Sequence, residues 1–439
     1  MMPVWRLLLR GMSIKEEPDE YSTCSIPDAA NRLGVSLKIV RRYIAGGQLK
    51  ANRETGNWKV DVDSLDALVR GEGQVAEGFV RDLFGKIVPT KRFKAPVEKR
   101  QPDQVNWVDV GSLWKKPGKS KCTFVDLFSG AGGISKGLEL AGFEGVCGLD
   151  WFPEAGKTYR RNFHHPFVEG DICLPEKKAE FYGQVKKGLV GRELTVVAGG
   201  FPCQGFSMAG NRIVYDPRNS LYRELLEIVK HLQPEFVVCE NVVGLRTMLN
   251  GAVERMIIED FKKAGYLMNV TTLCAADYGV PQKRHRVIFI GNRIGAQNFH
   301  PKPLLEEGNY VTTGEAIKDL MARDPDPAFN HVPTEHRPDM AKRMLLLPEG
   351  KSLYKGYSDA WKKCAWNEPS CTIKENHGGV NIHPKLPRVL TAREMARIQS
   401  FPDDFIFEGP KNKQLVQLGN AVPPLLSKAI GLAIRKAKE

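Results

Sequence analysis

Cys203 stands in the run Phe201-Pro202-Cys203-Gln204, directly after an apolar stretch and two glycines, Leu194 to Gly200. A cysteine there sits on a turn at the carboxyl end of a strand, where open α/β sheets bind their ligands. Pro202 restricts its neighbours, and Gly199, Gly200 and Gly205 let the backbone turn sharply or approach a ligand closely. The loop is built to present one thiol, and a presented thiol does nucleophilic addition. Most free cysteines are instead small buried apolar side chains, so the loop needs support from the rest of the chain. Two further sets of groups offer it: Glu240, at the end of a strand expected over Phe236–Cys239, and Arg284 with Arg286, entering a strand expected over Val287–Ile290. Extended backbone would put both arginines on one face and Lys283 and His285 on the other, an arrangement suited to a carbonyl oxygen and a nearby phosphate. A strand-end glutamate also serves as a helix cap, and a basic run beside a strand is often a solvated edge. On the residues alone those readings stay open.

The elements that must position these groups begin upstream. Cys122 to Gly133 is an apolar strand running into a glycine-dense turn, followed by a helical pattern over Ile134–Ala141, the opening of a nucleotide-binding α/β unit. The glycines fall at Gly130, Gly132, Gly133 and Gly137, which departs from the dinucleotide spacing and suits a smaller ligand. An adenosyl ligand with its carboxylate at the helix N-terminus uses the same exposed amides without needing a pyrophosphate. A second strand, Gly145–Leu149, ends in Asp150-Trp151. The acid falls about 20 residues after the turn, where a ribose hydroxyl partner is expected, and the indole offers a face for adenine. Capping and core packing are the plainer roles of the two residues.

Over roughly Cys122 to Gly431 the chain resembles the cytosine-carbon-5 DNA methyltransferase family, with its motifs in the family's order. Asp126 to Gly133 looks like the cofactor turn, Gly199 to Ser207 the nucleophile loop, Glu240-Asn241-Val242 the glutamate motif, and Gln282 to Arg286 the arginine motif. Arg388, Leu390, Thr391, Arg393-Glu394 and Gln399 to Pro402 match the motif after the recognition region, and Gln417 to Pro424 the closing one. The resemblance implies an α/β, Rossmann-like S-adenosylmethionine-dependent methyltransferase fold with a small target-recognition domain. It further implies S-adenosylmethionine held by Asp126, Phe128, Ser129, Gly130, Gly132, Gly133, Asp150, Trp151, Asp171, Ile172, Pro202, Asn420 and Val422. Arg286 would hold the carbonyl oxygen of a flipped cytosine, with Arg284 supporting the site.

The chemistry explains those residue types. Carbon 5 of cytosine is a poor nucleophile, so a thiolate, Cys203, adds first to carbon 6 and makes an enamine-like ring that attacks a methyl sulfonium. Electrons pushed towards ring nitrogen 3 need a proton or strong hydrogen bond there, a role for Glu240. No residue is nominated as base for the carbon 5 proton. The target base must leave the duplex stack, at a cost of about a few kcal/mol. Gln204 and Ser207 are candidates for contacting the DNA around the vacancy.

A formal charge of +13 favours a polyanionic partner through a salt-dependent, sequence-independent attraction. Nine cysteines without a C-x-x-C pair or regular spacing indicate neither zinc nor a disulfide framework, so no metal and a reduced intracellular setting are expected. The resemblance to bacterial restriction-modification methyltransferases implies a cytoplasmic, nucleoid-associated protein. The Leu7-Leu8-Leu9 run is too short for a signal-peptide core, Met12 is an alternative start, and no membrane span is evident.

After a flexible start over residues 1–22, residues 23–70 read as helix Ile26–Leu33, a turn Gly34-Val35-Ser36, helix Leu37–Ala45, a hairpin around Glu54 to Asn57, and a helix Asp63–Val69. This resembles the winged helix-turn-helix domains of excisionase and MerR-type regulators, with Lys38, Arg41 and Arg42 as candidate DNA contacts. A protein-interaction module is the alternative.

Residues 71–120 read as a linker, 121–291 as the catalytic domain, 292–411 as the recognition domain and 412–439 as a helix returning to the catalytic domain. His377 and His383 in the recognition interval read as loop structure. Double-stranded DNA is the expected substrate and a restriction endonuclease the expected partner. RNA cytosine methylation, or transcriptional regulation with secondary methyltransferase activity, are the competing functions.

Overall fold

The computed structural model describes residues 23–33, 37–45, 49–54, 57–70, 79–81, 87–89, 105–202, 221–354, 361–374 and 381–439. The chain divides into two compact units, Met1–Ala95 and Pro96–Glu439.

In the first unit helices Ile26–Leu33, Leu37–Ala45 and Val62–Arg70 accompany an antiparallel hairpin, Ala51–Glu54 with Asn57–Asp61. A short strand, Thr23–Ser25, which is too brief to show alternation in the sequence, pairs with the outer side of Asn57–Asp61. Ile26, Ala29, Ala30, Val40, Tyr43, Leu49, Val60 and Leu65 make this unit's own core. Asp61 caps the third helix by accepting the Ser64 amide at 2.7 Å.

The second unit is built on a seven-stranded sheet: β1 (Thr123–Leu127), β2 (Glu144–Asp150), β3 (Phe167–Glu169), β4 (Val196–Gly199), β5 (Phe236–Val242), β6 (Leu267–Cys274) and β7 (His285–Asn292). The spatial order is β6-β7-β5-β4-β1-β2-β3, with β7 antiparallel to both neighbours and the other pairings parallel. Chain order therefore reverses between β1 and β4, and a switch point of this kind opens a crevice at the carboxyl ends of the strands.

Both faces of the sheet are buried, which is why its strands read as continuous apolar runs. Val125, Leu127, Val197, Val237 and Cys239 face one core with α3 (Pro175–Leu189), α4 (Leu221–Leu232) and α5 (Ala252–Lys263). Phe124, Val196, Ala198, Phe236 and Val238 face the other with α1 (Gly133–Leu140) and the last helix. Helix α2 (Pro153–Asn162) links β2 to β3.

Later in the chain come α6 (Ala392–Ile398), α7 (Lys411–Asn420) and α8 (Pro424–Lys438). The return of the chain end to the first strands is thus two helices rather than one. Helix α8 lies on α1, where a Cβ at Gly137 would come within 2.3 Å of Ser427 Cβ.

Two expected boundaries differ from the structure. The second half of the expected linker belongs to the second unit: Trp107–Val108 pairs with His300–Pro301, Val110 is core, and Lys428 donates to the Trp114 carbonyl at 2.8 Å. The interval expected as a separate recognition domain shares a core with the α/β part, since Ala131, Tyr159 and Phe163 pack with Ile317, Ile373, Leu390 and Phe405. Among the described residues of that interval, Met344, Ile382 and Val389, with a few half-buried neighbours, form a small cluster of their own. Short helices and isolated bridges carry too little periodicity for sequence to reveal such packing.

Candidate active site

The strand ends are level. Leu127 pairs with Leu149 on one side and Gly199 on the other, and Gly199 pairs with Cys239. Phe128, Asp150, Gly200 and Glu240 therefore follow one row across the sheet.

The turn after β1 has left-handed backbone at Phe128 (φ 54°), Gly130 (φ 52°) and Gly132 (φ 94°). A bulky side chain at positive φ is strained and is found where surrounding structure enforces it. Ser129 donates its amide to the Leu149 carbonyl at 3.1 Å, and Gly130 donates to Asp150 Oδ2 at 2.8 Å. Asp150 also accepts the Phe152 amide at 2.9 Å, and burial holds its carboxyl above the usual range. A carboxylate has about four acceptor sites, so a hydroxyl ligand can still be taken. Trp151 beside it is 69% exposed, an uncovered indole face. After β3, Ile172 is buried and the exposed Asp171 accepts the Cys173 amide at 2.9 Å. From the far end of the chain Val422 reaches the same turn: a Cβ at Gly133 would lie 2.1 Å from the Val422 carbonyl oxygen. Asn420 ends α7 just before it. Asp126 lies beneath the turn, fully buried, with its carboxyl pushed up to about 7 by burial.

On the other side of the switch point, a Cβ at Gly200 would stand 3.1 Å from Glu240 Oε2. Phe201 is core, its carbonyl accepts the Asn241 side-chain amide at 3.2 Å, and Pro202 follows, half-buried. Cys203, Gln204 and Ser207 lie outside the described residues, as does His377. Glu240 is not at a strand end as expected; β5 continues to Val242 because β7 pairs along it, opposing Val242 to Arg286. Arg286 shares a face with Glu240 across that pair, and its Nε lies 2.7 Å from Glu240 Oε1. The N–H is not aligned on the oxygen, so the contact is an ion pair rather than a directed hydrogen bond.

The two arginines do not share a face of one strand. Strand β7 begins at His285, and Arg284 turns inward, 2% exposed, donating to the carbonyls of Ile373 at 2.9 Å and Gly419 at 3.2 Å. Burial and the nearby Arg286 depress its basicity, while Glu240 works the other way. Arg284 thus ties the arginine motif to the segment ahead of Asn420.

Sequence reasoning gave no role to Asn241 or Gln282. Gln282, fully buried, accepts the Ile373 amide at 3.0 Å and donates to Gln399 Oε1 at 3.0 Å; Gln399 donates to the Leu418 carbonyl at 2.7 Å. Their signal was present in the matched motifs, but their partners lie far off in the sequence.

Of the candidate DNA contacts in the first unit, Arg41 is exposed on helix Leu37–Ala45, and the side chains of Lys38 and Arg42 lie outside the described set. His383 is buried loop structure: Nδ1 accepts the amides of Lys385 at 3.0 Å and Leu386 at 2.9 Å. Among the described residues no group of three or more metal-ligating side chains occurs, and no helix is long and apolar enough to cross a membrane.

This geometry coincides with one family model, that of C-5 cytosine-specific DNA methylases, which matches residues 122–436. The chain belongs to that family. It is 38% identical over 330 residues to the type II methyltransferase M1.HphI of Haemophilus parahaemolyticus, covering 72% of this chain and 87% of that protein. It is 30% identical to the type II methyltransferase M.Eco47II of Escherichia coli, covering 93% of this chain and 94% of that one. A solved prophage-encoded methyltransferase from E. coli superposes with a TM-score of 0.59 at 26% identity, over 72% of this chain and 99% of the other. The protein is therefore a C-5 cytosine DNA methyltransferase close to the type II enzymes, and as a member of this family it uses S-adenosylmethionine.

Proposed function

We propose that the enzyme methylates carbon 5 of a flipped-out cytosine within one specific duplex DNA sequence, through a transient bond to Cys203, as the modifying half of a restriction-modification system. The observation that carries the reading is the Glu240–Arg286 pair at 2.7 Å beside Gly200, where the nucleophile loop leaves β4. A carboxyl group and a guanidinium held side by side suit adjacent nitrogen 3 and carbonyl positions on one edge of a pyrimidine.

The turn residues fit an adenosyl group: the open face of Trp151 for the purine, the spare lone pairs of Asp150 for ribose hydroxyls, and Asp171 with Ile172 at the rim. Phe128, Ser129, Gly130, Gly132, Gly133, Pro202, Asn420 and Val422 would complete the site, with Asp126 beneath the turn. When bound, S-adenosylmethionine supplies an electrophilic methyl group. Cys203 adds to carbon 6, Glu240 holds nitrogen 3, Arg286 holds the carbonyl oxygen, and Arg284 braces the arginine motif against the segment before Asn420.

Gln204 and Ser207 would contact the DNA that the base leaves. The first unit, with Lys38, Arg41 and Arg42, would hold the duplex nearby as a winged helix-turn-helix. A restriction endonuclease reading the same sequence would be the biological partner.

The test is methyl transfer from labelled S-adenosylmethionine to unmethylated genomic DNA by wild type and Cys203→Ala, with methylated positions read by bisulfite sequencing. Transfer lost in the variant and clustered at one short motif is expected. Transfer to RNA alone, or signal retained in the variant, would overturn the reading.

A further inference from the structure

Beneath the cofactor turn runs a chain of buried hydrogen bonds that the methyl-transfer chemistry does not use. Asp126 Oδ2 accepts the Ser135 amide at 3.1 Å and pairs with the Ser135 hydroxyl at 2.6 Å. Ser135 Oγ lies 2.7 Å from the Tyr159 hydroxyl, which lies 2.8 Å from His165 Nε2. His165 Nδ1 is 3.7 Å from Glu139 Oε1, and the Glu139 side chain is 32% exposed. The hydrogen-bonded chain therefore runs from a fully buried carboxyl group to His165, with Glu139 beyond hydrogen-bond distance on the solvent side.

Space for it is left by glycines. A Cβ at Gly148 would lie 2.5 Å from Tyr159 Cζ, and one at Gly145 2.2 Å from two atoms of the His165 ring. A Cβ at Gly132, inside the cofactor turn, would lie 2.3 Å from Phe163, whose ring packs 4.3 Å from that of Tyr159. Three residues of β2 and the turn thus lack side chains where α2 and the loop after it insert an aromatic pillar. Asp126 Oδ1 is buried without a hydrogen-bond partner, so this carboxyl group is not held by a full set of donors.

We propose that Ser135, Tyr159 and His165 are positioning residues that fix the cofactor turn through Asp126 and pass protons between that carboxyl group and the surface beside Glu139. This rests on the reading of the turn as the S-adenosylmethionine site. With Asp126 ionised, donors run inward: His165 to Tyr159, Tyr159 to Ser135, Ser135 to Asp126. With Asp126 protonated they run outward, leaving the proton of His165 on Nδ1 facing Glu139. The conversion takes up one proton: it enters on His165 Nδ1 from the surface beside Glu139 while His165 Nε2 passes one to Tyr159, Tyr159 one to Ser135 and Ser135 one to Asp126, with no opening of the turn.

The groups facing this chain are Asp150 and Cys147 from β2, Glu139 and Lys136 from α1, and His164. Asp150 opposes ionisation of Asp126, and burial opposes it more. Burial also holds His165 neutral, with its pKa pushed down to about 4, as a relay requires. For Asp126 the folded pKa is raised, so its contribution to stability is full below the unfolded value and is lost as pH rises through about 7. Asp126→Asn removes that contribution. With a sulfonium and an ammonium group against one carboxylate the cofactor carries a net positive charge, so its binding favours the ionised carboxyl group and strengthens as pH rises through the same range.

The experiment uses the full chain and S-adenosylmethionine, with dissociation constants by calorimetry from pH 5.5 to 8.5 and urea midpoints over the same range. Tyr159→Phe keeps the ring that the glycines accommodate and removes the hydroxyl link. We expect its cofactor affinity to fall ~10-fold, with the loss in KM for cofactor rather than in kcat. In Asp126→Asn the affinity profile should lose its dependence on pH, and the difference in urea midpoint from wild type should change as pH rises through about 7, because only the wild type titrates there. Ser135→Ala, a smaller change, should reproduce the Tyr159→Phe affinity and serves if that variant does not fold. Wild-type affinity and pH profile in Tyr159→Phe and Ser135→Ala would overturn the proposal. Failure of the wild type to bind S-adenosylmethionine would overturn the cofactor reading instead, and the relay would then be decided by Tyr159→Phe, whose urea midpoint should vary with pH differently from wild type and would overturn the relay if it did not.

Discussion

Strand pairing sets the spacing of Glu240 and Arg286 before any substrate arrives. Glu240→Gln preserves the volume and the position but can neither ionise nor give up a proton. If Glu240 acts at ring nitrogen 3, kcat should fall by roughly 10²–10⁴ while the dissociation constant for S-adenosylmethionine stays within about twofold. Single-turnover transfer and calorimetry separate the two, and an unchanged kcat would remove Glu240 from the chemistry. At this scale the sequence was most legible where two motifs separated along the chain meet in the fold, as for Glu240 and Arg286. It was least legible where a residue works through a distant partner. Nothing local indicates that Asn241 grips the Phe201 carbonyl, or that Tyr159 answers to Ser135 across a helix and a strand.

Elements were legible in kind and less so in extent. The apolar runs of β1, β4 and β5 and the pattern of α1 follow from burial on both faces, yet the end of β5 depends on a strand that pairs with it from elsewhere in the chain. The strands Thr23–Ser25 and Trp107–Val108 exist only through their partners. Element packing also makes predictions.

Gly133 opens α1 against the Val422 carbonyl, and Gly133→Ala must push the segment between α7 and α8 away from the turn. Overpacking of this kind costs about 1–3 kcal/mol, so a lower urea midpoint is expected together with weaker cofactor binding. Wild-type values for both would show that the segment gives way freely. The loop before α6 turns on His383, whose burial pushes its pKa down to about 4. A histidine depressed in the fold contributes stability above its unfolded value near 6.5 and loses it as pH falls towards 4. His383→Asn keeps an acceptor for the Lys385 and Leu386 amides but does not titrate. Its urea midpoint should therefore fall less than that of wild type between pH 7 and pH 5, and equal losses would assign the acid sensitivity elsewhere.

For the whole molecule the question is what two compact units with separate cores contribute to one reaction. The catalytic motifs all fall within Pro96–Glu439, so removal of residues 1–95 should leave a folded enzyme that still modifies the same sequence. The first unit carries exposed cationic positions such as Arg41 and Lys50, and the chain as a whole is at +13. If that unit touches phosphates, each lost contact lowers the slope of log affinity against log salt by about 0.9. Tethering a second binding module also raises the effective concentration of DNA at the first, without altering base readout. The truncated enzyme should thus show the same methylated motif by bisulfite sequencing, a higher KM for DNA at physiological salt, and a shallower salt dependence. An unchanged KM and slope would make the first unit a protein-interaction module. A changed motif would mean that it reads bases, placing part of the sequence specificity outside the catalytic unit.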